Sequence, residues 1–210
     1  MVKSPYPRRG DSGETMRRKL TQRGKDRRRQ LMDHAAALFA ERGYHPTSVA
    51  DIVETLGVGK GVFYWYFPSK EELLSEILRE SQQDLRRRQQ QAIGDEPNPV
   101  VRIELGIRAT IEWFLEHRKN FTLFQFAATD ERFAPVLRRN HDVAIADAAR
   151  HIKEAIVEGL IADQDPEVLA EAIVGACNQL TLTYVFDRNE PVDRTAEAAV
   201  SFCLHGIVGK

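Results

Sequence analysis

Thr47-Ser48-Val49-Ala50-Asp51-Ile52-Val53-Glu54-Thr55-Leu56-Gly57-Val58-Gly59-Lys60-Gly61-Val62-Phe63-Tyr64-Trp65-Tyr66-Phe67 is the stretch whose reading decides the fold. Thr47 or Ser48 can N-cap a short helix, because a hydroxyl oxygen there accepts from first-turn amides that have no helical partner. Val49, Ile52, Val53 and Leu56 then fall at helical spacing, giving a supporting helix of about two turns. Gly57 lacks a Cβ and so supplies the positive φ that a sharp turn between helices needs. Val58 plugs the angle, and a second helix is expected from about Gly59 to Trp65. Phe63 and Phe67 anchor it inward, while Lys60, Gly61, Val62, Tyr64, Trp65 and Tyr66 sit at its start and outer face. A cation beside hydroxyl-bearing aromatics suits phosphate oxygens and base edges, so the unit reads as a helix-turn-helix built to enter DNA. Pro68 closes this helix. Ser69 caps the next one, with Glu72 completing a capping box, and Lys70 lies in its first turn, where exposed amides and an ammonium can hold a phosphate.

Upstream, Arg29 to Tyr44 reads as a helix ending in Phe39-Ala40-Glu41-Arg42-Gly43-Tyr44. Together these segments, about residues 27 to 80, resemble the tetracycline-repressor (TetR) family of ligand-responsive transcriptional regulators. The resemblance implies phosphate contacts from Ser48, Tyr64, Tyr66 and Lys70, and base or groove contacts from Lys60, Gly61, Val62 and Trp65. Gly59 stands where many members carry a Ser cap, a change that costs only a few tenths of a kcal/mol. Val62 replaces a common Thr or Ser, and Ala50 an occasional base-reading Arg. Direct readout therefore leans on Lys60 and on apolar contact with thymine methyls.

The 210 residues, 42% hydrophobic and 29% charged, are enough for one sizeable core plus a small appended domain. A net charge of −1 looks unlike a nucleic-acid binder, but it is unevenly placed. Residues 1 to 67 carry 13 Lys and Arg against 7 Asp and Glu, and the remainder 17 against 24, so the basic end is the DNA end. No apolar run approaches the roughly 18 residues of a membrane span, and residues 1 to 10 lack a signal peptide's apolar stretch, so a cytoplasmic protein is expected. Cys177 and Cys203 read as small core residues rather than a disulfide or metal pair. Residues 1 to 26 mix Pro and Gly with Arg and Lys and read as a flexible basic arm with room for a short helix over Thr15 to Leu20. The arm either follows the DNA backbone or is a solvated tail.

After Pro68 the chain reads as successive helices, giving an all-α fold in which residues 27–70 form the DNA-binding domain and 71–210 a larger ligand-binding and dimerisation domain. Helices are expected over Ser69 to Ala92, from Pro97-Asn98-Pro99 through Phe114, across the aromatic segment Phe121 to Phe126, from Pro135 or Asn140 to Leu160, from Asp165-Pro166-Glu167 to Asp187, and over Pro191 to Val208. The last carries Ala196, Ala199, Val200, Cys203, Leu204 and Ile207 on one stripe, and its predecessor contributes Ala172, Gly175 and Ala176. By resemblance these two helices form a homodimer interface, although the stripe alone fits packing within one chain equally well. The resemblance also implies an effector cavity among the helices of residues 97 to 187. Candidate lining residues are Ile107, Thr110, Ile111, Phe114, Phe121, Phe124, Gln125, Asn178, Thr181 and Tyr184, although most such aromatics are ordinary core in helical proteins. A largely hydrophobic small molecule, lipid-like or an acyl-thioester, fits that lining, and Asn178 needs partners if buried.

Other chemistries find little support. His141, Asp142, Asp147 and His151 hint at a metal site, but His141 and His151 lie about 80° apart around one helix, and a solvated charged face explains them better. Gly57 to Gly61 superficially matches a phosphate loop but has Glu54 at the first Gly position and Gly61 at the hydroxyl position. No cofactor signature, Gly-x-Ser-x-Gly elbow or catalytic triad emerges. The expected function is a dimeric, sequence-specific regulator, most often a repressor, released from a palindromic DNA operator by its effector. A nonspecific architectural DNA-binding protein, and a helical metabolite-binding protein or enzyme, remain the alternatives.

Overall fold

In the computed structural model, which describes residues 20–206, every regular element is helical. Thr21 opens the first: its Oγ1 accepts from Gly24 N at 3.2 Å, and α1 runs Gln22–Arg42. The helix therefore takes in residues 22–26, which the sequence reading assigned to a flexible arm. A side-chain cap and good helix formers such as Gln22, Arg23 and Lys25 suffice to start a helix before any apolar stripe begins. The rest of that arm, residues 1–19, lies outside the described residues.

α2 (Val49–Glu54) and α3 (Lys60–Tyr66) follow. Ser48, not Thr47, is the N-cap of α2. Its Oγ accepts from Asp51 N at 3.2 Å while Asp51 Oδ2 accepts from Ser48 N at 2.7 Å, completing a capping box absent from the sequence expectations. Thr47 is buried instead and donates to Gly43 O at 2.7 Å. Gly57 takes φ +62°, the left-handed conformation anticipated for the turn. The box expected at Ser69 is half formed, since Ser69 Oγ accepts from Glu72 N at 3.1 Å without the reciprocal bond.

α4 (Lys70–Ile93) belongs to two cores. Its first half puts Leu73, Leu74, Ile77 and Leu78 against Leu31, Phe39, Ile52, Phe63 and Phe67. Its second half puts Leu85 with Trp113, Phe114 and Phe121. Each of these large side chains contributes about 1.5–3 kcal/mol on burial, so the head formed by α1 to α3 depends on α4 as a floor. Arg28 adds ion pairs to Glu76 at 2.6 Å and to Glu80, tying α1 to the same stretch.

The head core does not stop at α4. α5 (Pro99–Glu116) leads into α6 (Arg118–Ala127), and Leu123 and Ala127 of α6 join the cluster of Leu31 and Phe63. A single 3-10 turn, Glu131–Phe133, contributes buried Phe133, and α7 (Ala134–Val157) contributes Val136. Tyr44 sits at this junction, stacked on Phe126 at 5.1 Å and edge-on to Phe133 at 5.5 Å.

The remaining core lies among α5, α7, α8 (Pro166–Leu180) and α9 (Val192–His205), built from Ile103, Ile107, Ile111, Ile145, Ile152, Cys177 and Val200. Ala196, Ala199 and Val200 of the α9 stripe are buried in this chain, while Ile207 lies outside the described residues. α8 continues as a π-helical segment, Thr181–Asp187, within the extent foreseen for one helix but with a wider turn. Pro166–Asp187 spans 22 residues, and an 18-residue window within it has mean hydropathy 1.3, long and apolar enough by length and composition to cross a membrane, with 22% of that window buried. This corrects the expectation that no stretch approaches that length; Glu171, Asn178 and Gln179 interrupt its Val, Leu, Ile, Ala and Cys residues, so the sequence shows no uninterrupted apolar run.

Candidate DNA interface and effector cavity

α3 is held by one face only. Phe63 is fully buried and Phe67 nearly so, while Val58 and Tyr66 pack at the margin of the same core. The opposite face presents Lys60, Gly61, Val62 (36% exposed), Tyr64 (55%) and Trp65 (58%) to solvent. Large aromatics exposed on a short, well-anchored helix carry apolar area that the fold does not use, which is the property of a recognition surface. Trp65 and Tyr66 meet edge-on at 4.4 Å, and Tyr64 packs edge-on against Phe63 at 5.3 Å, so neighbouring rings limit their orientations. Gly59, the N-cap of α3, offers no side-chain bond, which leaves the first amides of α3 without a side-chain cap beside Lys60 and Gly61.

The structure places six of the eight expected DNA residues on α3 and the other two at helix starts with internal duties. Ser48 is exposed, but its hydroxyl is engaged with Asp51 in both directions, donating to Oδ2 at 2.6 Å. Lys70 is more committed. Its Nζ donates to Tyr44 O and Thr47 O, each at 2.8 Å, reaches His45 O at 3.5 Å, and lies 4.2 Å from the centre of the Tyr44 ring. Partial burial holds its pKa below the usual lysine value, with Glu71 opposing and Arg132 reinforcing that shift. The ammonium thus clamps the link between α1 and α2 onto the start of α4, a role the sequence did not disclose.

A cavity of about 1010 Å³ lies among α4, α5, α6, α7 and α8. Of the ten residues expected around an effector, Ile107, Thr110, Phe114, Phe121, Phe124, Gln125 and Asn178 line it. Ile111 is buried in the α5 to α9 core, Thr181 is fully buried, and Tyr184 is exposed with Arg188 over its ring at 4.7 Å. The π-helical turn beginning at Thr181 changes the helical phase, so the α-helical spacing that groups Asn178, Thr181 and Tyr184 does not continue. Asn178 is exposed at the cavity, so the concern over a buried amide does not arise.

Sequence reasoning missed the charged part of this lining. Arg86 pairs with Asp147 at 2.6 Å, Arg102 with Glu154 at 2.6 Å, and Gln89 donates to Thr110 Oγ1 at 2.9 Å. His151, expected on a solvated face, is only 9% exposed and lines the cavity, as does His141, which bonds Glu171 at 2.8 Å. The Arg102 to Glu154 pair sets the start of α5 beside the end of α7. The cavity therefore runs from Arg102 and His151 to Phe114, Phe124 and Leu137, about 18 Å along α5 at the helical rise. Phe124 lines the aromatic end and packs against both the head core and the Leu85 cluster.

Residues 31–77 match the family described as bacterial regulatory proteins, tetR family. The HTH-type transcriptional repressor KstR2 of Mycobacterium tuberculosis (strain ATCC 25618 / H37Rv) is 34% identical over 118 residues, 54% of this chain and 59% of that protein. The match thus spans less than two thirds of that relative. The uncharacterized HTH-type transcriptional regulator YdgC of Bacillus subtilis (strain 168) is 24% identical over 194 residues, covering 91% and 97% of the two chains. Among solved structures, the fatty acid degradation regulator FadR from Bacillus halodurans superposes with a TM-score of 0.80 over 87% of this chain and 97% of its own, at 16% identity, a likeness of fold.

Proposed function

Because this chain belongs to the TetR family of bacterial regulatory proteins, we propose that it is a homodimeric, sequence-specific regulator of transcription. On this reading it acts as a repressor in the cytoplasm. The observation that carries the reading is the outward face of α3, where Lys60, Val62, Tyr64 and Trp65 are exposed on a helix fixed from behind by Phe63 and Phe67. Lys60, Gly61, Val62 and Trp65 read groove edges, and Ser48, Tyr64, Tyr66 and Lys70 set the register on phosphates. Exposed Val168, Tyr184 and Phe202, together with the sparsely buried Pro166–Asp187 stretch, support a dimer formed through α8 and the helix after it. A two-fold dimer then meets a palindromic operator with one α3 in each half-site.

Release follows a two-state scheme. A small molecule in the cavity bears on Phe124, and α6 passes the displacement to Tyr44 through Phe126, next to the Lys70 clamp. The ligand must prefer the conformation that misfits the operator, and DNA must weaken ligand binding by the same factor. Selection of binding sites from a random duplex pool, checked by titration at two salt concentrations, tests the reading. An inverted repeat of defined spacing is expected. Salt-steep binding without enrichment points to the architectural alternative, and turnover of a recovered ligand to the enzymatic one.

A further inference from the structure

Two buried donors at the Arg102 end of the cavity lack acceptors. Among the described residues Arg102 Nε and His151 Nδ1 have no hydrogen-bond partner, although both residues line the cavity and His151 is more than nine-tenths buried. Arg102 Nε always carries a hydrogen. His151 Nε2 faces Arg150 Nη2 at 3.5 Å and so accepts, which assigns the hydrogen of the neutral ring to Nδ1. Burial, then the nearby Arg150 and Arg102, hold the His151 pKa below its ordinary value and keep the ring neutral, against the opposing pull of Glu154 and Asp147. The nearby carboxylates reach other donors instead, Glu154 Oε2 the Nη2 of Arg102 and Asp147 Oδ2 the Nε of Arg86, each at 2.6 Å. Glu96, at the same end, accepts from Asn98 N at 2.9 Å.

A buried donor without an acceptor has lost its water and gained nothing in return, so two in one cavity mark the place of a ligand acceptor. We propose that the cavity takes an amphiphilic carboxylate, whose two oxygens accept from Arg102 Nε–H and His151 Nδ1–H while its apolar body lies toward Phe114 and Phe124. This rests on the reading of the cavity as the effector site and narrows the ligand beyond a hydrophobic molecule. A carboxylate brings two acceptor oxygens to two donors; an alcohol brings one, and an ammonium brings none.

Calorimetry of the full chain with dodecanoate, dodecan-1-ol and dodecylamine, paired with release from a selected operator, tests it. Dodecanoate should bind at least about tenfold more tightly than the other two. His151→Leu should remove most of that advantage, and His151→Asn, whose amide nitrogen stands near the place of Nδ1, should restore much of it. Should His151→Leu fail to fold, His151→Phe gives the same test, because it keeps a planar ring and lacks the Nδ1 donor. Equal affinity for dodecanoate and dodecan-1-ol, or no dodecanoate binding by protein that still holds its operator, overturns the carboxylate assignment and leaves the regulator reading intact. Preferential, His151-dependent binding of dodecanoate without any effect on the operator complex upholds the assignment and counts against the effector role.

Discussion

The head and the cavity region bind their polar side chains to different partners. In the head, Ser48, Asp51, Thr47 and Lys70 bond to main chain or to one another, and what remains exposed on α3 is largely aromatic and apolar. In the cavity, ion pairs join helices from distant parts of the sequence, and two donors are left over. The contrast separates rigidity from readiness. A surface that must fit a regular duplex gains from polar side chains anchored on main chain before DNA arrives, even though His34 Nε2 and Tyr44 Oη stay unpartnered among the described residues, whereas a chamber that must respond to a ligand gains from donors at its wall that the ligand can satisfy.

Substitutions can break this contrast or sharpen it. The largest effect is expected from Phe63→Ala, which empties the fully buried centre of the head and should cost about 3–5 kcal/mol in urea denaturation. Because Leu123, Ala127 and Phe133 share that core, α6 should loosen with the head; retention of full amide protection in α6 would show the two to be independent. Lys70→Met comes next. It leaves the carbonyls of Tyr44 and Thr47 without their charged donor and should cost about 1.5–3 kcal/mol of stability while also weakening binding to every DNA sequence. A loss of DNA affinity with an unchanged denaturation midpoint would assign Lys70 to phosphate alone.

Ser48→Ala removes the capping hydroxyl and should cost about 0.5–2 kcal/mol, with Ser48→Gly costing only a few tenths. Lys60→Ala is the mildest for the fold, within about 0.5 kcal/mol of wild type, since the side chain is exposed. Its consequence should appear in DNA binding, as a relaxed base preference and a salt slope reduced by about 1. If only the slope changes, Lys60 is a phosphate contact and base reading falls to Val62 and Trp65.

How much of this was legible in the sequence follows from the same contrast. The head is coded locally: Ser48 meets Asp51 three residues on, Gly57 turns the chain, and Phe63 and Phe67 repeat at helical spacing, so a short window holds the information. The aromatic half of the cavity was legible because Ile107, Phe114, Phe121 and Phe124 cluster on two consecutive helices. The charged half was not. Arg86 and Asp147 are 61 residues apart, and each reads alone as an ordinary solvated side chain. The π-helical turn defeated Thr181 and Tyr184, because nothing in Thr181–Asp187 announces a change of helical phase. Lys70 failed in the other direction: its position was anticipated, but its carbonyl partners lie 23 and 26 residues earlier.

The seating of Lys70 among carbonyls of the preceding loop makes one side chain answer to two selective pressures at once. Any change there that alters grip on DNA also alters whether the head holds its shape, so affinity has no independent dial at that position. The exposed side chains from Lys60 to Trp65 make no hydrogen bond within the described residues and carry no such double obligation. Divergence in operator preference among descendants of this chain should therefore accumulate on α3, while position 70 stays anchored by folding even where the DNA partner has changed.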